Sequence, residues 1–233
     1  MKPSGSILRE RFANASALSR RDLLALAATA PALGRLEAQE PSGRASPEET
    51  LKDLMAGNER FVSGKPLNPR RSPADFTRVA EAQSPEAVII GCSDSRVPPE
   101  VLFDQGVGDL FVIRVAGNVV TNAGPVVKGS IAYGVVELGS SLMMVLGHSG
   151  CGAVKAALQS KGKPLPQSIV DLVGLVQTGS QTDLNQAIIA NVRAGVGRLK
   201  EFDPSISQLI STNRVKVVGA VYDLASGRVT VVA

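Results

Sequence analysis

Tryptophan is missing from this 233-residue chain; histidine occurs once, cysteine twice, tyrosine twice and phenylalanine six times. With aromatics this scarce, a basic stripe interleaved with aromatic rings for nucleic acid has nothing to be built from. The core must come instead from Val, Leu, Ile and Ala, as in buried parallel sheets flanked by helices. Excess charge is lacking as well. The formal +4 gathers at the start, where residues 1–38 carry Lys2, Arg9, Arg11, Arg20, Arg21 and Arg35 against Glu10, Asp22 and Glu37. The remainder is near neutral, so no nucleic-acid partner is expected. The apolar run Ala25–Leu33 is too short to span a bilayer and is interrupted by Pro31 and Gly34. What is present, 44% hydrophobic and 20% charged residues, fits one globular domain with a real core.

Ser19-Arg20-Arg21-Asp22-Leu23-Leu24, followed by small apolar residues, has the layout of a bacterial twin-arginine export signal. Residues 1–38 are expected to be that signal, cut near Ala30-Pro31-Ala32 or after Ala38. The expected location is the periplasm, with transient engagement of the twin-arginine machinery and no stable membrane anchor. An amphipathic helix with a chance arginine pair is the alternative. Residues 39–46, rich in Pro, Ser and Gly, read as a linker.

Beyond it, Ser46-Pro47-Glu48-Glu49 combines a capping residue, Pro at the first helical position and Glu three residues after the cap. Leu51, Leu54, Met55, Phe61 and Val62 fall on one face of the helix that starts there, and Gly64 ends it. Short β-branched runs follow at 87–92, 110–115, 142–148, 215–222 and 229–232, separated mostly by segments of helical length. The expected fold is α/β: a mainly parallel central sheet of four to five strands flanked by helices, with an N-terminal helical arm and an antiparallel last strand.

Ligands gather at the carboxyl edge of such sheets. Both cysteines and the only histidine fall at predicted strand ends, in Cys92-Ser93-Asp94-Ser95-Arg96 and His148-Ser149-Gly150-Cys151. Two thiolates and an imidazole suit zinc, and three protein ligands leave one tetrahedral position open for chemistry. A Cys92–Cys151 disulfide is one alternative in an exported protein, and two buried thiols beside a core histidine are another.

These two motifs, Cys92–Val97 and Gly147–Gly152, resemble the signatures of the β-carbonic anhydrases. So do Gly57-Asn58-Glu59-Arg60-Phe61, Arg114-Val115-Ala116-Gly117-Asn118 and the Tyr133 segment; the resemblance covers residues 47–233. It implies one zinc per chain on Cys92, His148 and Cys151, and reversible hydration of carbon dioxide to bicarbonate by attack of zinc-bound hydroxide. Asp94 would pair with Arg96 in the open state and ligate the metal in the closed one. Gln105, the backbone N–H of Gly152 and Tyr133 would meet the substrate. Arg114 and Tyr222 match two members of a non-catalytic bicarbonate site, but Ile89 stands where its third member, a tryptophan, is found. A dimer or tetramer is implied. Hydrolysis of carbonyl sulfide or carbon disulfide is a rival on the same scaffold, and a zinc-storing or thiol redox protein is a rival of another class.

Overall fold

The computed structural model describes residues 43–121, 125–159, 164–201 and 203–233. The expected export signal, residues 1–38, and the first half of the expected linker, residues 39–42, lie outside the described residues. Helix α1, Pro47–Val62, starts as its sequence demands: the Ser46 hydroxyl takes the Glu49 N–H at 3.3 Å, and the Glu49 carboxylate takes the Ser46 N–H at 2.8 Å. It ends at Ser63, with Gly64 left-handed at φ 68°. A short α2, Pro73–Arg78, follows. Strand β1 (Ala87–Gly91) leads to the one-turn α3 (Pro99–Leu102) and to β2 (Leu110–Arg114). After a 3-10 turn at Ala116–Asn118, α4 (Pro125–Ala132) runs into a wider π turn, Tyr133–Glu137, and then into β3 (Leu142–His148). Helices α5 (Gly152–Gln159), α6 (Gln167–Gly174), α7 (Leu184–Lys200) and α8 (Pro204–Ser211) precede β4 (Lys216–Tyr222) and β5 (Val229–Val231).

The five strands lie in the order β2-β1-β3-β4-β5, the first four parallel and β5 antiparallel to β4. Every residue of β1 and β3 is buried, because helices cover both faces; continuous apolar runs such as Leu142–Leu146 are the result. Alternation divides them. Ala87, Ile89, Met144 and Leu146 pack with Leu54 of α1 and Phe103, while Val88, Ile90, Met143 and Val145 pack with Ile131 of α4 and Val192 and Val196 of α7. The expected N-terminal arm is thus packed on its own sheet. Gly57 allows the approach, since a Cβ there would sit 1.8 Å from the carbonyl oxygen of Phe103. Buried Asn58 then donates to the carbonyls of Leu102 (3.0 Å) and Gly227 (2.9 Å) and accepts from the Val229 N–H (2.8 Å).

The strand order fixes where a site can form. From β1 the chain crosses to β2 on one side, then returns past β1 to place β3 on the other. The carboxyl ends of β1 and β3 therefore flank the point where the winding reverses, the place where loops part and leave a crevice. Gly91 pairs with Leu146, so Cys92 leaves its strand beside the end of the strand that carries His148. Among the described residues no helix is long and apolar enough to cross a membrane.

Candidate metal centre

Cys92 follows β1, His148 ends β3, and Cys151 immediately precedes the first turn of α5. All three are buried, and one donor atom from each lies within 4.8 Å of the others. Gly117, at φ 74°, turns its N–H onto the Cys92 sulfur at 3.2 Å. The Asn191 amide holds the Gly117 carbonyl at 2.8 Å from α7. The imidazole is oriented by its neighbour: Nδ1 lies 3.0 Å from the Ser149 carbonyl, which can only accept, so the proton belongs on Nδ1. Nε2 then carries a lone pair and, although fully buried, has no hydrogen-bond partner. A buried, unsatisfied acceptor aimed among two sulfurs is costly unless something electrophilic completes it.

The thiols share the burden unequally. A hydrogen bond from Cys151 is the main cause that pulls the Cys92 thiol far below its usual range, with the Asp94 and Gly117 N–H groups assisting against burial. The same bond pushes Cys151 upward, although the Ala153 and Val154 N–H groups of the α5 start oppose the shift. One thiolate is thus already favoured by the protein alone, and a cation between the sulfurs would favour the second.

Asp94 faces this cluster from the loop after Cys92. The Arg96 fork grips it in two places, Nε to Oδ1 at 2.9 Å and Nη2 to Oδ2 at 2.7 Å, and the Arg96 N–H adds a third bond to Oδ1 at 3.0 Å. Those bonds hold the Asp94 carboxyl well below the usual range, and its Oδ2 lies 3.8 Å from His148 Nε2. Arg114, on the end of β2, donates to the carbonyls of Cys92 (3.0 Å) and Asp94, which ties the loop to the sheet. Ile89 is fully buried on the α1 face, and Tyr222 is buried opposite His148.

Gly152 is the first residue of α5, next to Cys151. Gln105 and Tyr133 make their contacts elsewhere. The buried Gln105 amide donates to the Phe103 carbonyl (3.1 Å) and the Asp53 carboxylate (3.2 Å). Tyr133 is half exposed, its ring 6.2 Å from that of Phe111, in a groove of about 710 Å³ that shares no residue with the cysteine–histidine cluster. The Gly117 N–H and the carbonyl contacts of Arg114 were not foreseen. The motif Arg114-Val115-Ala116-Gly117-Asn118 marked their segment, but backbone donors and acceptors carry no residue signature.

The carbonic anhydrase family profile matches residues 87–229. A carbonic anhydrase of Mycolicibacterium smegmatis is 38% identical over 203 residues, covering 79% of this chain and 92% of its own. Carbonic anhydrase 2 of Mycobacterium tuberculosis is 39% identical over 200 residues, with 78% and 91% covered. A solved structure of a tetrameric β-carbonic anhydrase from Sordaria macrospora superposes with a TM-score of 0.63 at 25% identity, covering 79% of this chain and 97% of its own.

Proposed function

The chain belongs to the β-carbonic anhydrase family, a family of lyases, and from that premise we propose that it hydrates carbon dioxide reversibly to bicarbonate with one zinc held by Cys92, His148 and Cys151. The observation that carries the reading is the convergence of two thiols and an unpartnered imidazole nitrogen at the switch point of the sheet. That soft donor set suits zinc better than harder cations. Held there, zinc would supply Lewis acidity, making water nucleophilic near neutral pH. Asp94, fixed by Arg96, accepts a hydrogen bond from the attacking water and orients it; the fork keeps the carboxylate ionised and away from the donors. Of the three substrate-side groups that the resemblance implies, the Gly152 N–H adjoins the cluster, whereas Gln105 and Tyr133 make their contacts elsewhere within this chain. Stopped-flow carbon dioxide hydration on metal-analysed protein, with carbonyl sulfide as the comparison, tests the reading; zinc-loaded protein inactive on carbon dioxide would refute it.

One expectation concerns proton return. His148 is the sole histidine, one ring nitrogen bonded to Ser149 and the other turned to the cluster, so no imidazole remains to carry the product proton to solvent. Turnover at saturating carbon dioxide should rise with buffer concentration, and more for imidazole-type buffers than for bulky ones. Steady-state rates at fixed ionic strength measure this; a rate independent of buffer down to low millimolar levels would contradict it.

The periplasmic location and self-association belong to the same proposal. The twin-arginine route carries folded proteins, so metal would enter in the cytoplasm while both cysteines are reduced. Arg20→Lys with Arg21→Lys is expected to leave active holoenzyme in the cytoplasm; normal export of that variant, read by fractionation, would remove the case for the signal. Self-association is supported by the tetrameric relatives from Sordaria macrospora.

A further inference from the structure

The imidazole of His148 is oriented through the carbonyl of the next residue, and that carbonyl is itself held from a distance. Ser149 is bonded three times to the end of β4 and the chain that follows it. Its N–H donates to the Tyr222 carbonyl at 2.8 Å, its hydroxyl donates to Asp223 Oδ1 at 3.0 Å, and the same hydroxyl accepts from the Leu224 N–H at 2.9 Å. Gly150, left-handed at φ 66°, sets the other side of the peptide whose oxygen meets Nδ1.

Asp223 is equally fixed. Its Oδ2 takes the Ser226 hydroxyl (2.6 Å) and N–H (3.1 Å), its N–H donates to the Arg228 carbonyl (2.8 Å), and its own carbonyl takes the Gly227 N–H (2.9 Å). The bonds from the Ser226 and Ser149 hydroxyls hold its carboxyl below the usual range, so it stays a charged acceptor. Asn58 of α1 anchors the far side of this turn through Gly227 and Val229. A series of hydrogen bonds therefore runs from the buried Asn58 of α1, through the β4–β5 turn, to the imidazole.

We propose that Ser149 and Asp223 are positioning residues for His148: their hydroxyl–carboxylate bond fixes the Ser149 peptide, whose carbonyl fixes the tautomer and ring plane of the histidine. The inference rests on the reading of His148 as a metal ligand. Without the hydroxyl the peptide keeps one bond of three, and its carbonyl can turn away from Nδ1. The ring then loses the partner that keeps the proton off Nε2 and raises its basicity as a donor.

Zinc affinity, measured by chelator competition, and the visible spectrum of the cobalt-loaded protein test this. Ser149→Ala should bind zinc about tenfold or more weakly and show an altered cobalt spectrum, whereas Ser149→Thr, which retains a hydroxyl, should stay within about threefold of wild type. Asp223→Ala reads the tether from its other end by both measurements and decides the matter if Ser149→Ala does not fold. Unfolding midpoints taken in chelator separate loss of stability from loss of affinity. If the alanine variants match wild type in affinity and spectrum, the tether is only structural and the proposal fails, whatever their stability. If wild-type protein itself fails to bind one zinc per chain, the ligand reading fails instead.

Discussion

Cys151→Ser is expected to empty the metal centre. Serine keeps the shape of the side chain at the α5 start, but its neutral hydroxyl replaces a thiolate in a site with only three protein donors. Structural zinc in zinc-finger peptides binds with about 10–16 kcal/mol, and on that scale losing one of three ligands should remove about 4 kcal/mol, roughly a thousandfold in affinity. Metal analysis after gel filtration, with chelator competition for the residual affinity, checks this. A variant with one zinc per chain and full turnover would sink the ligand assignment.

Asp94→Ala is expected to separate binding from turnover. The three donors are untouched, so zinc content should stay near one per chain, while turnover falls about a hundredfold through loss of the group that orients the attacking water. Arg96→Ala should fail by another route. The fork supplies the two side-chain bonds that draw Asp94 aside, and a released carboxylate already 3.8 Å from His148 Nε2 can swing into the open position. The double variant should therefore be no slower than Asp94→Ala alone, the non-additivity of residues that act as one unit. Wild-type rates in either single variant, or fully additive losses in the double, would rule out the pair.

Much of the architecture was legible because its strands are buried on both faces. The runs at 87–92, 142–148 and 215–222 became strands Ala87–Gly91, Leu142–His148 and Lys216–Tyr222, within a residue of where β-branched and apolar character begins and ends. The α1 start was equally plain, since Ser46, Pro47 and Glu49 act within one turn. The same grammar, Ser72-Pro73 with Asp75 three residues after the cap, marks α2 and could have been read. Other features were not accessible that way. The π turn at Tyr133–Glu137 follows from packing: Gly134 sits where a Cβ would meet Val88 at 2.7 Å, a distance no local propensity encodes. The cysteine–histidine convergence was inferred from residue chemistry, but its supports are backbone groups brought close by the sheet: Gly117 N–H, Ser149 C=O, and the carbonyls under Arg114.

The strand order also governs time. Cys92 and His148 stand on adjacent strands, yet β3 reaches β1 only after the chain has passed through β2 and α4, and parallel pairing of this kind closes long loops before contacts reward it. The turn that bonds Ser149 through Asp223 comes later still in chain order, after β4. A nascent chain thus carries its donors well before it can hold them in register. A metal held by all three donors would therefore require the crossover to be closed, with β3 already paired to β1.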